Sequence, residues 1–235
     1  MDYLQKTADK LVSERLFAGV EWRVDQGGKN IFAGKSGVQD LATNSEIPER
    51  ALYRVYSMTK PIISVLALKL IEEGYLQLTS TLAEFDNRFS NMIVLNSDGH
   101  VAPADGLITV EHLLTHRAGF SYDFNIGCAT APYYRQAELM ENGYRDLGDI
   151  ISILSELPLV FNPGSHWRYS VATDVLAYLL ETVTQKTITE LLRKYILNPL
   201  EMNDTNFTIK PENQHRIMQV YGVRSLSELP VLKRL

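Results

Sequence analysis

The pattern of apolar and polar positions in the first third of the chain predicts a helix, a hairpin and a second helix. Residues 2–15 repeat apolar side chains at helical spacing. Residues 18–24 and 30–33 predict two strands, and the Asp-Gln-Gly-Gly sequence between them is typical of a hairpin turn. Residues 57–73 are apolar on nearly all sides up to Gly74, which predicts a buried helix.

The remainder of the chain is predicted to be mostly helical. Residues 118–142 are rich in Tyr, Phe and Gly and predict a structured loop region, and no convincing strand follows residue 209. The predicted fold class is α+β, with an N-terminal helix and β-hairpin of an antiparallel sheet in residues 1–55 and a mostly helical domain in residues 56–235. Four further helices are expected over residues 110–116, 147–157, 171–184 and 189–197.

Composition narrows the functional class. The chain has 235 residues, 45% of them hydrophobic, and a net charge of -5, which are ordinary values for a globular protein with a real core. No Lys/Arg-rich run occurs, so we expect no nucleic-acid partner. The most apolar run, residues 61–71, is too short to span a bilayer, so we expect no membrane partner.

Cysteine usage and the N-terminal sequence favour a cytoplasmic location. Cys128 is the only cysteine, so an intramolecular disulfide is impossible. The first residues do not pair a basic stretch with an apolar one, as a signal peptide would.

The first candidate for chemistry is the S-x-x-K sequence formed by Ser57 and Lys60. Residues three apart on a helix lie on one face, and a desolvated lysine can lose its charge near neutral pH and accept the serine proton. A capping serine and a solvated lysine explain the tetrad equally well. Pro61 also disfavours helical geometry at Lys60.

Four segments in order resemble the class C β-lactamases, DD-peptidases and their esterase relatives. VYSMTKP at residues 55–61 resembles the first active-site motif of this superfamily, and PGSHWRYS at residues 163–170 resembles the second. LLTHRAGF at residues 113–120 and NPLEMNDT at residues 198–205 resemble two further elements. The resemblance implies a β-lactamase/transpeptidase-like fold and a serine hydrolase.

By this resemblance, Tyr169 is the tyrosine that shares proton transfer with Lys60. In class C β-lactamases an asparagine stands two residues after the tyrosine, whereas this chain has Val171, which cannot hydrogen bond to a β-lactam amide. YSVATDVL at residues 169–176 is closer to the family VIII carboxylesterases. The family's third motif, of the Lys-Thr-Gly type, is missing, so the chain looks C-terminally truncated.

Several other side chains are candidate site residues. Phe120 and Tyr122 could line a pocket for the acyl group, although a loop packing its own aromatic residues explains them equally well. His112 and His116 are spaced to share a metal, but neither the zincin glutamate nor a third ligand accompanies them. We therefore expect no metal and no organic cofactor.

The predicted function is cleavage of carboxylic esters through an acyl-enzyme on Ser57. Two alternatives stay open: a β-lactam-interacting hydrolase, and a truncated non-catalytic homologue acting as a binding module. The expected partners are a small-molecule ester or β-lactam-like substrate. A hairpin edge without further strands also predicts a homo-oligomer or a complementing C-terminal fragment.

Overall fold

The computed structural model describes residues 2–96, 98–125, 127–139, 145–222 and 233–234. The chain forms two compact units, one containing Met1–Tyr56 and Asn206–Leu235 and the other Ser57–Thr205. The division predicted at residue 55 assigned residues 206–235 to the helical domain. By contact clustering, the described residues 206–222 and 233–234 group with the N-terminal segment.

The first unit begins with helix α1 (Asp2–Ser13) and continues with strands β1 (Gly19–Gln26), β2 (Lys29–Asp40) and β3 (Ser45–Glu46). The strands form one antiparallel sheet in the order β1-β2-β3. Gly27 and Gly28 join β1 to β2 with φ angles of 57° and 74°, as a two-residue type I′ turn requires. Strand β2 is longer than predicted because its polar second half pairs with β1 and β3, although it lacks an apolar pattern of its own.

In the second unit a 3₁₀ turn (Tyr56–Met58) leads directly into helix α2 (Thr59–Glu72). The remaining helices are α3 (Leu82–Phe85), α4 (Val110–Leu114), α5 (Ala131–Gln136), α6 (Leu147–Glu156), α7 (Ala172–Thr184) and α8 (Ile188–Leu192). A short hairpin joins β4 (Ile93–Leu95) to β5 (Val101–Pro103). The sequence did not reveal this hairpin, since three residues are too few to show a period.

Helix α7 organises the core of the second unit. It contacts α2, α4 and α6, and it buries residues at helical spacing, namely Ala172, Val175, Leu176, Leu179 and Leu180. Helix α2 contributes Ile63, Leu66 and Leu70 to the same core. The expectation of a buried α2 holds for this face only, because Val65 and Leu68 are exposed on its other face.

The end of the chain returns to the first unit. The backbone of Leu52 exchanges hydrogen bonds of 2.8 and 2.9 Å with Arg216 and Met218. Two two-residue strands follow, β6 (Tyr221–Gly222) and β7 (Lys233–Arg234), which pair antiparallel. Among the described helices, none is long and apolar enough to cross a membrane.

Candidate active site

Ser57 is exposed in the 3₁₀ turn that precedes α2. Met58 occupies the N-cap position, where a thioether cannot bind the first amides as a serine or aspartate would. The start of α2 has no side-chain cap, and the helix dipole there favours negative charge beside Ser57. Pro61 is the third helical residue, where no intrahelical hydrogen bond is lost, so the helix accepts it despite the predicted conflict at Lys60.

Lys60 lies between two tyrosines. Its Nζ is 3.2 Å from the phenol oxygen of Tyr122 and 4.9 Å from the ring centroid of Tyr169. The centroids of the two tyrosine rings are 5.7 Å apart. One half-buried ammonium group thus has a hydrogen bond to one ring and lies close to the face of the other.

Tyr169 lies just before α7 and interacts with both Ser57 and Lys60 of the S-x-x-K sequence. Burial raises the pKa of Tyr169, but hydrogen bonding with Ser57 and Lys60 outweighs burial and holds this pKa below its ordinary value. Ser170, which is buried, accepts a hydrogen bond from the amide of Ala172 at 3.3 Å and so fixes the entry into α7. The structure therefore brings Ser57, Lys60 and Tyr169 together.

The charge state of Lys60 differs from the sequence prediction. Burial lowers the pKa of Lys60, as expected, but hydrogen bonds to Tyr169 and Tyr122 outweigh burial and raise this pKa above its ordinary value. Lys60 is therefore an ammonium ion at neutral pH rather than a neutral base. The tyrosines that cause this shift come from distant parts of the chain, so the local sequence carried no sign of it.

The residues predicted to bind substrate occupy different environments. Tyr122 is buried, yet its hydroxyl reaches Lys60, and its ring stacks on Phe124 with centroids 4.7 Å apart. Phe120 is 0% exposed and packs edge-on against Phe89 in the core. Val171 is 2% exposed at the start of α7. Neither Phe120 nor Val171 presents surface to a ligand.

Two further residues lie at the site, and the sequence did not indicate either of them as catalytic. Asp174 lies in the first turn of α7, where burial raises its pKa and the charge of Lys60 partly opposes that shift. His116 places its ring 4.9 Å from that of Tyr169. An acid in a first helical turn is an ordinary pattern, so sequence alone gave Asp174 no special weight.

The histidines considered for metal binding have other contacts. Nδ1 of His112 accepts a hydrogen bond of 3.2 Å from the amide of Thr109, which completes a capping box at α4. Within the described parts of the chain, no cluster of three His, Cys, Asp or Glu side chains could hold a metal ion.

Comparison with known proteins identifies the family of this chain. The family model described as Beta-lactamase matches residues 4–231. The chain belongs to the Beta-lactamase family. This membership confirms the resemblance found in the sequence motifs.

Relatives with curated names include esterases. Esterase EstB of Burkholderia gladioli is 29% identical over 212 residues, which cover 89% of this chain and 52% of that protein. Lovastatin esterase of Penicillium rubens is 28% identical over 190 residues, covering 78% of this chain and 47% of that protein. The chain therefore spans about half the length of the curated relatives it matches.

A solved structure shows the same fold. EstCE1, described as a hydrolase with promiscuous acyltransferase activity, aligns with a TM-score of 0.79 at 24% identity. The alignment covers 100% of this chain and 58% of that chain. This likeness confirms the β-lactamase/transpeptidase-like, mixed α and β fold predicted from the sequence.

Proposed function

We propose that this family member is a serine hydrolase that cleaves carboxylic esters through an acyl-enzyme on Ser57. The convergence of Ser57, Lys60 and Tyr169 is the observation that carries this proposal. Tyr169 is made more acidic by hydrogen bonding with the other two residues, and the ammonium of Lys60 lies 4.9 Å from the centroid of its ring. A phenolate stabilised by an adjacent cation is a suitable base for a serine hydroxyl.

Acylation follows from this arrangement. The Oγ of Ser57 attacks the ester carbonyl carbon, and its proton passes to the phenolate oxygen of Tyr169. The carbonyl electrons move to oxygen, and the amide of Ser57 and the uncapped start of α2 stabilise the resulting negative charge. The bond to the alcohol oxygen then breaks, and that oxygen takes the proton from Tyr169.

Deacylation reverses the proton path. A water molecule gives its proton to Tyr169 as its oxygen attacks the acyl carbon. The bond from the acyl carbon to Ser57 Oγ breaks, and Ser57 recovers the proton while the carboxylic acid leaves. Lys60, whose pKa is raised in the free protein, acts as the ammonium that stabilises the phenolate each time it forms.

The placement of Val171 favours an ester over a β-lactam. Its side chain is buried at the start of α7 and has no polar atom to hold a β-lactam amide. We therefore place β-lactam hydrolysis second, and a non-catalytic binding role third because Ser57, Lys60 and Tyr169 are all present and close together.

The test is turnover of a short-chain p-nitrophenyl ester beside a penicillin. We expect ester turnover, loss of that turnover in Ser57→Ala, and a fall of about 10²-fold or more in Tyr169→Phe. Ser64→Ala on the same helix is the matched control and should keep the wild-type rate. Faster turnover of the penicillin would favour the β-lactam alternative, and a folded protein that hydrolyses neither compound would favour the binding module.

The proposal includes a cytoplasmic location and association with a second chain. A cytoplasmic location rests on the single cysteine, which is buried and lies 3.1 Å from the hydroxyl of Thr130. Self-association, or pairing with a complementing C-terminal fragment, is supported by the exposed apolar side chains Ile31 and Phe32 on β2. Light scattering on the purified chain tests self-association, and a monomer at all concentrations would contradict it.

A further inference from the structure

His116 stands in an unusual backbone conformation beside the candidate active site. Its φ is 56°, in the left-handed region that most side chains avoid but that histidine and asparagine enter more often than others. It follows the last turn of α4, and hydrogen bonds of its own amide and carbonyl hold its backbone in place. This left-handed residue ends α4, because the amides of His116 and Arg117 bond back to the carbonyls of Leu113 and His112.

The backbone around His116 is bound to the segment that carries Tyr169. The carbonyl of His116 accepts a hydrogen bond of 2.9 Å from the amide of Arg168, the residue before Tyr169. The carbonyl of Arg117 accepts one of 2.8 Å from the amide of Gly164, and the Arg117 guanidinium donates to the Gly164 carbonyl. These three hydrogen bonds join the two segments.

The imidazole of His116 packs on the ring of Tyr169. The two centroids are 4.9 Å apart, and the ring centroid of Trp167 lies 6.4 Å from that of the imidazole with the planes 75° apart. Tyr169 thus has His116 at 4.9 Å and Tyr122 at 5.7 Å, with Lys60 beside its ring. The imidazole restricts where the phenol oxygen can point.

The electrostatics keep the imidazole neutral. Burial lowers the pKa of His116, and the charge of Lys60 lowers it further. The charged and titratable groups that face it are Lys60 from α2 and Tyr169 from the segment before α7, while Arg168 adjoins it through the backbone. Among the described residues, none offers a hydrogen-bond partner to the buried Nδ1.

We infer that His116 is a positioning residue, whose imidazole packs on the ring of Tyr169 and holds its phenol in reach of Ser57 and Lys60. This inference rests on the proposed function for its effect on rate, but not for its effect on Tyr169 itself. His116 combines a side chain that tolerates the left-handed backbone with a flat ring that supports Tyr169. Asparagine tolerates the left-handed backbone but has no ring to support Tyr169. Phenylalanine has the ring but does not tolerate this backbone conformation as well.

The test separates the two properties with His116→Asn and His116→Phe. His116→Asn should fold normally yet lower kcat about tenfold with little change in KM, because Tyr169 is no longer held in place. His116→Phe keeps a ring on Tyr169 and should lose less. His166→Asn is the matched control, since the ring of His166 packs on Phe161 and not on Tyr169.

The second readout is the titration of Tyr169 followed by NMR with ¹³C-labelled tyrosine, assigned with Tyr169→Phe. We expect the pKa of Tyr169 to rise toward its ordinary value in His116→Asn and to stay low in His116→Phe and His166→Asn. If thermal unfolding shows that His116→Asn is not folded, His116→Gly replaces it, because glycine adopts this φ without cost.

The outcomes distinguish the two proposals. An unchanged Tyr169 pKa in folded His116→Asn overturns the positioning role, whatever the rates are. A wild-type protein that hydrolyses no ester overturns the proposed function, while the Tyr169 titration still decides the role of His116.

Discussion

The ammonium nitrogen of Lys60 lies 3.2 Å from the phenol oxygen of Tyr122, although the two residues are 62 positions apart in sequence. This hydrogen bond joins the start of α2 to the loop that follows α4. It also contributes to the raised pKa of Lys60. In the proposed reaction Lys60 stabilises the Tyr169 phenolate, so Tyr122 supports the proton transfer through Lys60.

Removal of this hydroxyl should slow the reaction. In Tyr122→Phe we expect kcat/KM for a p-nitrophenyl ester to fall about tenfold, as loss of one hydrogen bond to a charged group predicts. Tyr133→Phe, at an exposed tyrosine on α5, is the control and should keep the wild-type value. Equal rates in both variants would show that Tyr122 does not act through Lys60.

The two phenylalanines that flank Tyr122 should respond differently to truncation. Phe120 is 0% exposed, so Phe120→Ala should reduce the free energy of unfolding by about 3–5 kcal/mol in urea denaturation. Phe124 is 60% exposed and stacks on Tyr122, so Phe124→Ala should change stability by less than about 1 kcal/mol. We expect Phe124→Ala instead to raise KM for longer acyl chains. Similar stability losses in both variants would contradict this assignment.

The carboxyl of Asp174 should limit stability at neutral pH. Its pKa is raised by burial, so the folded state binds this proton more tightly than the unfolded state does, and ionisation near neutral pH opposes folding. Asp174→Asn should therefore raise the free energy of unfolding at pH 7 by on the order of 1 kcal/mol. The gain should disappear as pH falls below about 3.8, where the carboxyl is protonated in both states.

Asp149→Asn is the matched control for Asp174, since Asp149 also lies in the first turn of a helix but is exposed. Denaturant unfolding at pH 7 and at pH 3 measures both variants. A loss of stability in Asp174→Asn at pH 7 would mean that the charge attraction to Lys60 exceeds the cost of burial.

Local signals predicted part of this molecule well. Gly27 and Gly28 identified the β1–β2 turn, and the apolar run ending at Gly74 identified α2. The spacing of Ser57 and Lys60 and the motif around Tyr169 identified the residues that the structure brings together. Each of these signals is contained within a few neighbouring residues.

The features that the sequence did not reveal depend on contacts between distant residues. Phe120 and Phe124 are the same residue type four positions apart, and only packing places one in the core and one at the surface. The pKa of Lys60 is raised by Tyr169 and Tyr122, which the fold brings to it. Strands as short as β4 and β6 leave no periodic pattern.

The central claim is that Ser57 forms a covalent acyl-enzyme, and intact mass spectrometry tests it most directly. The protein is mixed with a short-chain p-nitrophenyl ester and quenched in acid after brief reaction, alongside Ser57→Ala and Ser64→Ala. We expect a mass increase equal to one acyl group in the wild type and in Ser64→Ala, and none in Ser57→Ala. An adduct that persists in Ser57→Ala, or none in a folded wild-type protein that hydrolyses the ester, would contradict the account.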